Sequence, residues 1–231
     1  MAVAQDAASF RHTGRLQGVM TTYVCAMMVL FGTVASAAPL DQVLKSHGLQ
    51  PISPPTAAID FELQTLRGSQ IKLSDTSGRW VLLTFFATWC GPCMAEMPSL
   101  QQFQLQHHER GVDVLAISTD ASPAPVTKLV RDRGLTFPIL MDPNGRVAGQ
   151  YKANSIPISY LVSPSGQLTA VSRGAKDWSR MQRLVDALLE AEPATDEPVD
   201  AYRISNEPIE LPEILNPPTA TVVVPTNQPE P

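Results

Sequence analysis

Cysteine is scarce in this chain, with three in 231 residues. Three cysteines cannot build a small fold stapled by several disulfide bridges. Surplus positive charge is absent too: 17 Lys and Arg stand against 22 Asp and Glu, for a net charge of −5. A chain without a basic excess lacks the electrostatic footprint that phosphate backbones require, so no nucleic-acid partner is expected. Histidine numbers only four, which leaves little from which to assemble a four-ligand zinc site. No internal repeat is visible, which excludes solenoid and array architectures. What is present is 44% apolar and 17% charged residues, a balance that suits a globular chain and excludes wholly disordered or coiled-coil ones.

Charge and proline are unevenly placed. Nine of the 21 prolines lie in residues 193–231, and from Ala191 onward eight acids face one base, Arg203. Residues 1–190 then carry +2. Segment 191–231 therefore reads as an acidic, proline-rich disordered tail, although Ile209–Leu215 and Thr219–Val224 are apolar enough to dock elsewhere. At the other end, Arg11 and Arg15 precede an apolar run from Val19 to Val34, and Ala35-Ser36-Ala37 supplies small residues. Basic region, apolar region and small-residue site stand in the order of a secretory signal. Residues 1–37 are expected to be a cleaved signal peptide or, alternatively, an uncleaved membrane anchor. Cys25 lacks the preceding small residue of a lipoprotein box, so lipidation is not expected.

Between these ends, residues 38–56 read as a linker, extended by Pro51, Pro54 and Pro55. Residues 57–190 have the size of one domain. The pattern predicts a hairpin over Phe61–Leu66 and Gln70–Leu73, and buried strands at Trp80–Phe86 and Val112–Ser118. Helices are expected over Gly91 to about Arg110, Pro123–Arg133 with Ser122 as cap, and Asp177–Glu190. A short extended piece, Pro138–Met141, and a second hairpin, Ile158–Val162 with Gln167–Val171, complete the set. The result is an α/β fold: a mixed central sheet flanked by helices, with an N-terminal hairpin.

The chemistry gathers at Trp89-Cys90-Gly91-Pro92-Cys93, between a buried strand and a helix. Two residues between cysteines, spanning the first helical turn, bring the sulfurs within bonding reach. A helix N-terminus favours a thiolate, which makes Cys90 the expected nucleophile. Cys93, one turn further in, is the expected resolving thiol. A structural staple is the weaker reading, because so short a loop removes little chain entropy. A zinc half-site is weaker again, because the remaining candidates are His47 and the adjacent pair His107 and His108. Those two read as solvated residues near a helix end. No metal or other cofactor is expected.

The segment TFFATWCGPCMAEMP resembles the active-site stretch of exported thioredoxin-like proteins of the TlpA/ResA type, within the redoxin group that also holds the AhpC/TSA peroxiredoxins. IDFELQTLRGSQIKLSD and FPILMDPNGRVAGQYKANSIPISYLVSPSGQL extend the resemblance over about residues 57–190. It implies a thioredoxin-like fold and a thiol–disulfide oxidoreductase. It also implies a cis bond before Pro157, set against the cysteines, although proline at a strand start is equally allowed on structural grounds. Pro98 would kink the active-site helix. Glu96 would exchange a proton with Cys93, the alternative being a solvated acid at a helix start. Trp89, Gly91 and Pro92 support the pair.

The resemblance is incomplete at two positions. Thr84 replaces the buried acid of thioredoxin proper, and a hydroxyl carries no proton near neutral pH. Ile158 stands where cytochrome-maturation relatives often place a polar residue. Implied partners are protein thiols and disulfides in the periplasm and a membrane thiol electron donor, with residues 1–37 as membrane anchor in the alternative reading of that segment. Gly91-Pro92 resembles reductants more than oxidants. Two other functions stay open at this stage. A peroxidase would need threonine at the position of Ala87, and a copper-delivery factor would need three residues between its cysteines and a distant histidine.

Overall fold

The run WVLLTFF has no polar face, so it can only lie where both sides are covered. In the computed structural model, which describes residues 39–194, it forms β4 (Trp80–Phe86), buried throughout. The described residues belong to one unit that excludes residues 1–37. The segment expected to direct export, with Cys25, and most of the acidic tail lie outside the described residues.

In chain order the remaining elements are α1 (Leu40–Ser46), β1 (Gln50–Ala57), β2 (Glu62–Thr65), β3 (Gln70–Lys72), α2 (Gly91–His107), β5 (Val112–Ser118), α3 (Pro123–Arg133), β6 (Ile139–Met141), α4 (Arg146–Gln150), β7 (Ile158–Val162), β8 (Gln167–Arg173) and α5 (Gln182–Ala191). The strands form one mixed sheet in the order β1-β8-β7-β4-β5-β6-β2-β3. β4 runs parallel to β5 and antiparallel to β7. Alternate β4 residues feed two cores. Trp80, Leu82 and Phe86 pack with Cys93, Met97, Leu100 and Phe103 of α2. Val81, Leu83 and Phe85 pack on the opposite face with Tyr151, Ile158 and Tyr160. The thioredoxin-like α/β architecture expected from the sequence is the one observed.

Several boundaries differ from expectation. Residues 38–56 are not a linker: Leu44 and Leu49 are buried in the core, and β1 pairs with β8 through Gln50–Val171 and Ala57–Gln167. Its three prolines lack N–H donors, which an edge strand with a single neighbour tolerates. The domain also runs past residue 190, because the Trp80 indole donates to the Glu192 carbonyl at 2.8 Å. Helix α4 was not expected. It is one turn long, too short to show a period, and buried Asp142 accepts from the Ala148 amide inside it. Helix α5 starts at Gln182 rather than Asp177. Asp177 Oδ1 instead accepts from the Ser179 amide and hydroxyl, a local bond that competes with helix. Ser122 makes no side-chain cap bond. Gly134 does close α3, with φ +58°.

The two histidines are not solvated. His107 is fully buried against Phe103, and neither ring nitrogen has a hydrogen-bond partner. Burial, seconded by the Arg110 charge and opposed by Asp186, holds its pKa below the ordinary value. His108 Nδ1 lies 2.6 Å from Asp113 Oδ1. Asp113, wholly buried in β5, also takes Arg79 Nε at 2.5 Å and Nη2 at 3.2 Å. This cluster closes the end of the sheet opposite the cysteines, where β4 and β5 begin.

Removing one partner of a buried charge cluster leaves the others poorly solvated. Asp113→Ala is expected to lower the unfolding free energy by roughly 3 kcal/mol, read by urea denaturation. A midpoint unchanged from the parent would contradict this account of the cluster.

Candidate active site

Where β4 ends, the chain turns through Ala87, Thr88 and Trp89 into α2. Asp120, just past the end of the parallel neighbour β5, fixes that turn. Its carboxylate accepts from the Thr88 amide at 2.9 Å and the Thr88 hydroxyl at 2.6 Å. The Ser118 hydroxyl donates to it as well, at 2.7 Å. Thr88 is thus pinned two residues before the first cysteine.

Cys90 caps α2. Its Sγ accepts from the Cys93 amide at 3.2 Å, so one of the unpaired N–H groups of the helix start faces sulfur. The two sulfurs are joined in a disulfide, with Cα atoms 5.3 Å apart. Cys90 is 7% exposed and Cys93 0%, so an incoming sulfur can approach only Cys90. Gly91 and Pro92 are exposed, and Pro92 sits in the first turn, where a missing N–H is harmless. Trp89 is 73% exposed, an apolar ring beside the reactive sulfur.

Facing Cys90 is the turn before β7. The Ile156–Pro157 bond is cis, Pro157 is buried, and the Ile156 carbonyl oxygen lies 3.8 Å from Cys90 Sγ. A second cis bond, Ser53–Pro54, had no counterpart in the sequence reading. Pro98 lies inside α2 and deprives the Met94 carbonyl of its helical donor. The Arg133 guanidinium approaches that oxygen at 3.5 Å instead. Thr84 is fully buried and accepts from the Ser159 hydroxyl at 2.9 Å, a neutral pair.

Glu96 is not solvated; it is 3% exposed. Three residues after Cys93, it projects from the same side of α2. The Trp178 indole N–H donates to Glu96 Oε1, while Oε2 is buried with no hydrogen-bond partner. Burial pushes its carboxyl up to about 7, against the opposing pull of the Trp178 hydrogen bond and of Lys176. The site therefore holds a slightly exposed cysteine, a wholly buried one, and a buried acid whose pKa is raised to about 7.

The sequence reading missed Asp120 and Trp178. Asp120 had a usable signal: adjacent parallel strands bring their C-terminal ends to one sheet edge, so residues just beyond β4 and β5 must meet. Trp178 had none, because its contact with Glu96 spans 82 residues.

A family model described as the AhpC/TSA family matches residues 54–171. Among curated proteins, the thiol-disulfide oxidoreductase ResA of Oceanobacillus iheyensis is 37% identical over 130 residues, 54% of this chain and 68% of that protein. ResA of Bacillus subtilis is 31% identical over 127 residues, 55% of this chain and 71% of that one. Among solved structures, a putative thiol:disulfide interchange protein DsbE from Chlorobium tepidum superposes with a TM-score of 0.54 at 30% identity, covering 58% of this chain and 96% of its own. A secreted Mycobacterium tuberculosis disulfide oxidoreductase superposes with a TM-score of 0.50 at 27% identity, covering 55% and 96%.

A carboxyl whose pKa is raised from 4.5 to about 7 by folding costs stability once the pH exceeds 4.5. The cost grows up to about pH 7 and is constant above it. Glu96→Gln, with the disulfide intact, is expected to stabilise the protein at pH 8 by up to about 3 kcal/mol. The gain should vanish toward pH 4.5. Urea melts at both pH values check it, and a gain independent of pH would contradict the assignment.

Proposed function

The chain belongs to the AhpC/TSA family and is a thiol–disulfide oxidoreductase, and we propose that it reduces disulfides of exported proteins through Cys90 and Cys93. One observation carries the reading: a cysteine pair at a helix start, the first residue keeping slight exposure and the second wholly buried.

The reduced enzyme begins with Cys90 as thiolate, held by the Cys93 amide and the helix start. The thiolate attacks one sulfur of a client disulfide. A Cys90–client disulfide forms, and the client's other sulfur leaves as thiolate and takes up a proton. Cys93 then gives its proton to the Glu96 carboxylate and attacks Cys90 Sγ. The Cys90–Cys93 disulfide forms, and the second client thiol departs. Two electrons have passed from the enzyme to the client. A dithiol donor returns them by the reverse exchange, and outside the cytosol that donor is a membrane thiol carrier. The Ile156 carbonyl and Pro157 offer the client backbone an edge beside Cys90, and Trp89 offers an apolar contact.

Export rests on the order of charges, apolar run and small residues in 1–37, which then serve as signal peptide or anchor. The secreted Mycobacterium tuberculosis oxidoreductase with the same fold supports that location. The reducing direction rests on the Gly91-Pro92 pair. Ala87 occupies the place of the peroxidase threonine, which weighs against peroxide as substrate.

Cys90→Ser is expected to abolish insulin-disulfide reduction. Cys93→Ser is expected to accumulate client mixed disulfides, seen as adducts on non-reducing gels. Equilibration with glutathione should give a potential near the ~−270 mV of thioredoxin; a value near the ~−120 mV of a strong oxidant would reverse the direction.

A further inference from the structure

We propose that Trp178 is a positioning residue for thiol exchange: its indole N–H fixes Glu96 in the pose, and sets the charge state, in which Glu96 takes the proton of Cys93. The proposal rests on the reading of Glu96 as proton acceptor given above.

The two oxygens of Glu96 are in unequal surroundings. Oε1 receives the Trp178 N–H, and Oε2 is buried with no partner. One oxygen is therefore pinned while the other keeps its full capacity to accept a proton. A carboxylate tied at both oxygens would be a poor base, and one tied at neither would be free to rotate away from α2.

Trp178 is itself held from three sides. It is fully buried and meets Phe103 of α2 edge-on, with ring centroids 6.1 Å apart. The Lys176 ammonium lies 6.0 Å from its ring centroid. That ammonium donates to the His47 carbonyl at 2.8 Å, in the turn after α1. The Asp177–Ser179 bonds shape the backbone on either side of Trp178. The expected helix over Asp177–Glu190 includes Trp178, but the observed helix starts only at Gln182. Its non-helical approach is what aims the indole at α2.

The groups around Glu96 are few. Cys93 precedes it on α2. Lys176 and Asp177, from the segment between β8 and α5, line with it a cleft of about 550 Å³, where the proton is released to water. During resolution, Cys93 loses a proton to Oε2, its sulfur bonds to Cys90 Sγ, and the client thiolate leaves. A hydrogen bond from Trp178 favours the charged carboxylate. Losing it raises the pH at which Glu96 becomes a competent base.

The test uses the full chain. Trp178→Phe keeps a ring against Phe103 and removes the N–H. Its pH–rate profile for insulin reduction is expected to shift upward by about one pH unit. That is a roughly fivefold loss at pH 7, recovered by about pH 9. Independently, in the 15N-labelled parent protein the Trp178 indole signal is expected to titrate with a single midpoint near neutrality, and Glu96→Gln should abolish that step. A Trp178→Phe profile superimposed on the parent, with Glu96→Gln flattening it, overturns the positioning role and leaves Glu96 as acceptor. A Glu96→Gln profile identical to the parent overturns both. If Trp178→Phe fails to fold, the indole titration decides alone, and a signal with no step at neutral pH overturns the proposal.

Discussion

Strand β4 buries Trp80, Leu82 and Phe86 on one side and Val81, Leu83 and Phe85 on the other, and the position of the reactive sulfurs follows from that double burial. A strand covered on both faces cannot slide by one residue without exchanging its two core sets. Its C-terminal end is therefore fixed relative to β5 and β7. Helix α2 starts five residues later, so the helix N-terminus that favours thiolate at Cys90 is fixed as well. The same register brings Asp120 from the β5 side and Ile156-Pro157 from the β7 side to opposite flanks of the cysteines. The rigid sheet supplies precision, and the short turns at its edge supply the chemistry.

Elements dominated by their own apolar pattern were legible from the chain alone. β4, β5, α3 and β7 fall where their patterns place them, because each is long enough, or apolar enough, for burial to decide its state. Cys90, Cys93 and Pro157 were legible from spacing and resemblance. The misreadings share a cause: a polar or backbone partner far away in sequence overrode the local signal. Pro51, Pro54 and Pro55 look like linker until β8 offers an edge. Asp177 looks like a helix start until its side chain bonds Ser179. His107 and His108 look solvated until Phe103 covers one and Asp113 takes the other.

Two buried acids show how the fold divides stability from function. Asp113 is wholly buried, with Arg79, His108 and Gln104 around it, and this cluster secures the end of the sheet where no chemistry occurs. Glu96 is buried almost as deeply, yet its Oε1 takes the neutral Trp178 N–H, Lys176 adds a backbone contact and a charge, and Oε2 has no hydrogen-bond partner. A full set of partners would make it a better structural residue and a worse base. Buried ions are tolerated when paired; a buried acid left half-paired is costly, which fits the proton-transfer role proposed for Glu96.

That contrast bears on how resolution is confined to the mixed disulfide. Cys93 is sealed from solvent, and in the mechanism proposed above Glu96, three residues further along α2, takes its proton. On that mechanism ionisation passes through a carboxyl that burial raises to about 7. A carboxyl with an ordinary pKa would be ionised more of the time but would bind the thiol's proton weakly. One raised much further would hold its own proton and accept none. Burial pushes Glu96 up, and the Trp178 hydrogen bond together with Lys176 pulls it back. The intermediate value is thus a balance between burial on α2 and two residues, Lys176 and Trp178, carried in from the segment before α5. The sheet sets where the sulfurs meet, and the packing around Glu96, with Trp178 and Lys176 opposing burial, sets where that acid titrates.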